Sequence, residues 1–449
     1  MSEVLTLGDV ADIVAGVGFP KDMQGGQDGA IPVFKVGDIS AAWLQGKSLL
    51  NDSRNYLSAE EAKSLGKCVP AGATVFAKIG EALRLNRRVM LGRDALVDNN
   101  VMGLVPKRER VAPKYLYYFM QTVDLGELSR STTVPSIRKS DVVEISIPVP
   151  AIAVQDEIVA ELEKQFSRLD EAVANLQRVK ANLKRYKASV LKAAVEGRLV
   201  ETEATLARRE GRTFETGEQL LQRILEERRA KWRGKGRYKE PVTQTAEFTI
   251  AVTDGWTSAT VDQLASVQLG KMLDKQKHKA GEPYRYLRNI NVRWGTFDVS
   301  DVFEMNFESD ELERFSVRAG DVLVCEGGEP ARAAVWRAKQ TDMKYQKALH
   351  RVRFDGAYLP DLIVIALEHL AKSGALDELY GGSTIKHFTR ETFVKLVLPV
   401  PPAAEQARIV AEVDRHLSII REVEVEVEAN LQRAQALRQA TLAKAFANT

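Results

Sequence analysis

Leu398-Pro399-Val400-Pro401-Pro402-Ala403-Ala404-Glu405-Gln406-Ala407-Arg408-Ile409 decides the fold, because it occurs twice. Ile147-Pro148-Val149-Pro150, followed by Gln155 and Ile158, precedes it by 251 positions (398 − 147; 409 − 158). Prolines close an extended stretch, and an apolar periodic stretch then opens a helix. The same offset relates Thr133-Val134 to Thr384-Ile385, Lys139 to Arg390 and Ile145 to Leu396. Further upstream, Val69-Pro70-Ala71-Gly72 faces Val317-Arg318-Ala319-Gly320, and Gly80-Glu81 with Arg84 faces Gly328-Glu329 with Arg332, now 248 apart (328 − 80). A repeat this long is a duplicated domain and not a short-period solenoid.

After Pro150 the pattern turns helical. Leu162, Phe166, Leu169, Val173, Leu176, Leu183, Tyr186 and Val190 recur at steps of mostly three and four, with neither Gly nor Pro before Gly197. Ile409, Val413, Leu417, Ile420, Val423, Val427 and Leu431 form the second such stripe. Each reads as one helix of about 45 residues, too long to lie on a domain of about 150 residues without overhanging it. The expected partner of each seam is therefore the other helix, as in a coiled coil. The domain order is 1–150, a globular unit; 151–200, a long helix; 201–255, a charged connector; 256–402, a second globular unit; and 403–449, a second long helix. In the connector Gly217–Trp232 reads as a short helix, and the basic Lys231–Lys239 reads as a flexible solvated linker. Within the globular units, 73–79, 101–105, 321–325 and 348–354 read as strands, and 115–123 and 359–373 as helices, which makes the class α+β.

Composition excludes several classes. Two cysteines, Cys68 and Cys325, fit a reduced cytoplasm and leave neither a disulfide framework nor a cysteine-rich zinc site. The longest apolar run, Leu362–Leu367, is far short of the roughly 18 residues of a membrane span, and the N-terminal stretch lacks the features of a signal peptide. The net charge is only +3, but it is clustered: five basic residues face one acid over 78–93, seven face two over 271–293, and seven face none over 228–239. Clustered cations at related places in two repeats suit a phosphate-facing surface.

Catalytic constellations are missing from the pattern. The histidines, His278, His350, His369, His387 and His416, form no metal-ligand spacing, and Gly46-Lys47-Ser48 lacks the first glycine of a phosphate loop, which is Ala41. Pro401-Pro402 lacks the Asn or Asp and the aromatic with which adenine methyltransferases hold and stack their base.

In order, these marks resemble the specificity subunits of type I restriction-modification systems: Leu5-Thr6-Leu7-Gly8-Asp9-Val10, Gly255-Trp256 with Val261 and Leu264, Gly381-Gly382-Ser383-Thr384-Ile385-Lys386, and the proline-rich helix start with Glu405-Gln406. The first copy departs from the pattern, with Val154 where Glu405 stands and Ala151 in place of the second proline. The resemblance implies two target-recognition domains separated by two long antiparallel, coiled-coil-like helices with pseudo-twofold duplication. It implies a non-catalytic chain that recognises a bipartite, asymmetric site on double-stranded DNA. It also implies two docked methyltransferase subunits using S-adenosylmethionine, joined by ATP- and Mg-dependent translocase and nuclease subunits where the system cuts. A helix of about 45 residues would span roughly 67 Å, about 20 base pairs at most.

Phosphate-positioning candidates are Lys78, Arg84, Arg87, Arg88, Ser131 and Thr132 in the first unit, and Lys271, Lys275, Lys277, Lys279, Ser383 and Thr384 in the second. Base reading needs forked donors and amides, for which the candidates are Asn86, Asn99, Asn100, Arg288, Asn289, Asn291, Arg293, Arg332 and Gln346. Leu162, Phe166, Leu169, Val173, Val413, Leu417, Ile420 and Val427 mark the helices expected to receive partner subunits. The rival expectations are a self-contained methyltransferase or nuclease, and a coiled-coil scaffold with no DNA role.

Overall fold

The computed structural model describes residues 3–129, 134–234, 236–243, 252–272, 281–339, 342–382 and 386–447. The chain divides into two compact units, Met1–Arg178 with Val427–Thr449, and Val179–Glu426, so each unit contains part of both long helices.

In the first unit a five-stranded sheet runs in the order Ala11–Ala15, Val101–Pro106, Thr74–Ala77, Arg88–Leu91, Leu49–Leu50. All its pairings are antiparallel except that of Leu49–Leu50 with Arg88–Leu91. The second unit repeats the plan as Ala265–Leu269, Leu349–Phe354, Val322–Cys325, Ala333–Val335, all antiparallel. Each unit adds a three-stranded sheet that mixes one antiparallel and one parallel pairing. It is built on Ile31–Phe34 in the first unit and on Glu282–Leu287 in the second. A third small sheet pairs each unit's opening strand with its proline-rich strand, Glu3–Thr6 with Ser146–Val149 and Thr257–Thr260 with Val397–Val400. The expected α+β class and internal duplication are thus present, with Leu49–Leu50 the one strand of the first sheet that has no counterpart in the second.

The long helices are Ile152–Val195 and Ala403–Ala447, of 44 and 45 residues. Each is anchored to its own unit by the repeated glutamine. The buried Gln155 accepts from the Ala112 N–H (2.8 Å) and donates to the carbonyls of Arg110 (2.9 Å) and Pro150 (2.8 Å). Gln406 accepts from the Leu359 N–H (2.8 Å) and donates to the Pro401 carbonyl (3.0 Å). Ala112 and Leu359 are the N-caps of the short helices Pro113–Met120 and Pro360–Ser373, each with proline in its first turn. One side chain therefore joins the N-termini of two helices and satisfies a backbone donor that the short helix leaves unpaired.

The helices also pair with each other, in opposite chain directions. In the second unit Tyr186 Oη lies 2.7 Å from His416 Nδ1, and further along the first helix Val190, Leu191 and Ala194 share a core with the earlier Ile409 and Val413. In the first unit Arg438 reaches Asp170 (2.7 Å) and lies 4.2 Å over the Phe166 ring, while Phe446 packs edge-on against Tyr115. Pairing is only half of what the seams do, which corrects the sequence expectation. Val159, Leu162 and Phe166 belong to the core of the first unit, and Ile409 and Val413 to that of the second.

The helix expected in the connector over Gly217–Trp232 is present as Gly217–Lys231, and a further helix, Glu203–Glu210, precedes it. Helices Glu203–Glu210 and Gly217–Lys231 are capped by Thr202 and Thr216, and Leu220 and Ile224 complete the second unit's core. Beyond them, Trp232 and Tyr238 meet edge-on at 6.0 Å and Arg229 pairs with Glu240 at 2.6 Å.

Candidate nucleic-acid interface

In each unit four segments meet at one junction. Strand Thr74–Ala77 runs into Lys78, whose N–H donates to the Asn100 carbonyl (2.9 Å) and whose carbonyl accepts from the Ile137 N–H (3.0 Å). Gly80 follows at φ +84°, a conformation that favours glycine, and opens the turn in which Arg84 pairs with Glu81. In the second unit strand Val322–Cys325 runs into Glu326, whose N–H donates to Ala348 (3.0 Å) and whose carbonyl accepts from Phe388 (2.7 Å). Gly328 follows at φ +82°, with Arg332 on Glu329 at 2.7 Å. The strand end, the Gly-Glu-x-x-Arg turn, the turn entering the next strand, and the segment carrying Ile137 or Phe388 therefore share one hydrogen-bond connectivity in the two units.

Several sequence candidates remain at least partly exposed. Asn99 and Asn100 are exposed on the turn before Val101, and Lys78 and Arg87 are half-buried. Arg84 is exposed but held by Glu81, and Arg293, in the hairpin 292–297, lies exposed 3.6 Å from Asp298. Asn289 is half-buried with its amide 3.4 Å from the Gly327 carbonyl, and Gln346 is half-buried with its Oε1 lacking a partner among the described residues. Ser131, Thr132, Lys275, Lys277, Lys279, Ser383 and Thr384 lie outside the described residues.

Other candidates are corrected by the structure, which uses them as internal ties. Arg88 is 1% exposed, its guanidinium closing the end of helix Pro113–Met120 through the carbonyls of Met120 and Val123, and burial brings its pKa down to about 10. Lys271 is buried on Glu311 and the Asn306 carbonyl, 4.9 Å over the Phe307 ring. Asn86 spends both ends of its amide, donating to Asp124 and accepting from the Leu125 N–H, both at 2.8 Å. Asn291 is buried between the carbonyls of Asp298 and Asp301 and the Arg288 N–H. Arg288 is clamped on Asp301 with the Phe303 ring 3.6 Å away, and Arg332 is divided between Glu329 and the Asn289 carbonyl. Desolvated forks already spent on protein carbonyls cannot also fork onto bases. The helix residues proposed for docking are likewise seam residues. Leu162, Phe166, Val413, Ile420 and Val427 are buried, and Leu169, Val173 and Leu417 are half-buried.

A second duplicated surface was not anticipated. In the first unit a groove of about 840 Å³ lies between Trp43, Tyr117, Gln121 and the long-helix residues Glu163, Phe166, Asp170 and Arg438. In the second unit a groove of about 240 Å³ lies between Trp294, Val364, Glu368 and the long-helix residues Asp414, Leu417, Arg421 and Lys187. Trp43 and Trp294, Glu163 and Asp414, Phe166 and Leu417, and Lys187 and Arg438 each stand 251 positions apart (294 − 43; 414 − 163; 417 − 166; 438 − 187). Among the described residues no cluster of His, Cys, Asp and Glu could hold a metal ion, and no helix is long and apolar enough to cross a membrane.

Residues 2–184 match the family model described as a type I restriction modification DNA specificity domain. The chain is thus similar to type I restriction-modification specificity subunits, with the specificity domain itself matched over residues 2–184. It is 21% identical over 462 residues to the type I restriction enzyme EcoBI specificity subunit of Escherichia coli, an alignment covering 98% of this chain and 85% of that one. It is 24% identical over 328 residues to the EcoKI specificity subunit of Escherichia coli strain K12, covering 72% of this chain but less than two thirds (61%) of the relative. A chain from a structure of a type I restriction-modification system, solved to show complex assembly and conformational transition, shares the fold. Its TM-score is 0.63 at 15% identity, over 99% of this chain and 97% of that chain.

Proposed function

We propose that this specificity subunit is a non-catalytic DNA-binding chain of the cytoplasm that selects a split, asymmetric site on double-stranded DNA. One half-site belongs to each recognition unit, and two copies of a methyltransferase subunit are directed to the whole. The observation that carries this reading is the junction built twice on one backbone plan with unlike side chains: Lys78, Asn99 and Asn100 in one unit, and Glu326 and Lys347 in the other. Equal backbones with unequal side chains suit two heads that read different bases. S-adenosylmethionine, ATP and Mg belong to the partner subunits. The two equivalent grooves beside the helices supply one docking recess per methyltransferase copy, and translocase and nuclease subunits join the same assembly where it cuts.

The test is to assemble the chain with its methyltransferase subunit and map methylated adenines on random-sequence DNA. A single gapped, non-palindromic motif is expected, with an affinity that falls steeply as salt rises because phosphate contacts release counterions. DNA binding without sequence preference, or methyl transfer by this chain alone, would overturn the reading.

A further inference from the structure

Lys78 and Glu326 occupy one and the same backbone position. They stand 248 residues apart (326 − 78), as do their N–H acceptors Asn100 and Ala348, and the donors to their carbonyls, Ile137 and Phe388, are likewise equivalent. The charge at this position is reversed between the two copies. An ammonium offers only donors, whereas an ionised carboxylate offers only acceptors. The Glu326 side chain is 8% exposed, and its Oε2 has no hydrogen-bond partner among the described residues. A buried acceptor without a partner in a native fold signals a missing ligand or water. Two glycines follow it, Gly327 and Gly328. The exposed His387 ring lies close to Gly327, where a Cβ would stand 3.2 Å from Nδ1. Neither glycine places a side chain beside the carboxylate.

We infer that this residue specifies one base pair in each half-site: Glu326 accepts from the exocyclic amino group of cytosine or adenine, and Lys78 donates to O6 or N7 of guanine. The pairing follows from major-groove chemistry, in which carboxylates take amino groups and lysines take guanine acceptors. The inference rests on the DNA-reading function proposed above.

The experiment selects binding sites from a randomised duplex library with the complete methyltransferase complex, comparing wild type with Glu326→Gln, Glu326→Lys and Lys78→Gln. Thermal melting of each complex checks folding. Glu326→Gln is nearly isosteric, so it should fold; it should lose about tenfold in preference at a single position of the second half-site. Glu326→Lys should move that position to guanine, and Lys78→Gln should relax one position of the first half-site; in each case the other half stays intact. Folded Glu326 variants that select the wild-type motif with unchanged affinity would overturn the assignment of Glu326. Uniform weakening across all sequences by Lys78→Gln would make Lys78 a phosphate contact and overturn its part. If wild type itself selects no split motif, the DNA-reading function fails as well, so the two failures are distinguishable.

Discussion

The starts of the two long helices differ in one buried residue. At Gln155 and Gln406 the same amide joins the long helix to the short one beside it. One position earlier, Val154 is 42% exposed, whereas Glu405 is fully buried, accepting from the Trp256 Nε1–H (2.9 Å) and the Glu203 N–H (2.8 Å). Glu203 begins the connector helix, and its own carboxylate meets Arg408 (2.7 Å) and Arg212 (2.6 Å). The shared glutamine belongs to the duplicated core. The unshared glutamate marks where the second unit has gained an extra layer of chain.

Breaking that layer should have the largest effect. Glu405→Val, which copies the first unit, leaves two buried N–H donors unpaired and should cost about 2–5 kcal/mol. The reciprocal Val154→Glu, on an exposed site, should change stability by no more than about 0.5 kcal/mol. Denaturant titration of both variants checks the contrast, and equal losses would refute it. Gln155→Ala and Gln406→Ala should cost about 2 kcal/mol each, since both remove the cap of a short helix and open a buried hole. A large inequality between them in the same titration would show that the shared device is not equivalent in the two units.

A smaller effect separates the units by pH. Burial holds the His350 imidazole below its ordinary range, with Nε2 on the Phe388 carbonyl at 2.8 Å, while the equivalent residue of the first unit is Met102 (350 − 102 = 248). As the pH falls through about 6.5 the unfolded chain takes up the proton first. Stability present above that pH is therefore lost as the pH drops through the lower folded-state value. His350→Met should flatten this part of the profile of melting temperature against pH. An unchanged slope would place the acid sensitivity elsewhere. The smallest stability effect is expected for the double change of Asn99 and Asn100 to Ala, within about 0.5 kcal/mol because both are exposed. The same change should weaken binding to the wild-type first half-site, measured against duplexes altered in either half.

The duplication and both helices were legible because proline placement and apolar period are local properties of sequence. The site was legible only in outline. The Gly-Glu-x-x-Arg turns do fall at equivalent places in the two units, but Arg88, Asn86, Asn291, Arg288 and Arg332 turned inward. The fork that fits a guanine edge also fits a helix C-terminus or a turn carbonyl, and sequence does not say which is nearer. Glu326 escaped notice because a lone acid does not register in a search for cations and amides; only its alignment with Lys78 gives it meaning. The helix stripes were read correctly as apolar seams, but the same residues serve the cores of the globular units too, since a core draws on whichever apolar face lies alongside it.

Gly217 stands so close to the Val400 carbonyl that any side chain there would collide with it, and Leu220 and Ile224 lie in the second unit's core. A fragment meant to fold as the second unit must therefore begin upstream of Glu203 and not at Trp256. Cut at Trp256, it would lose the connector helices that close its core.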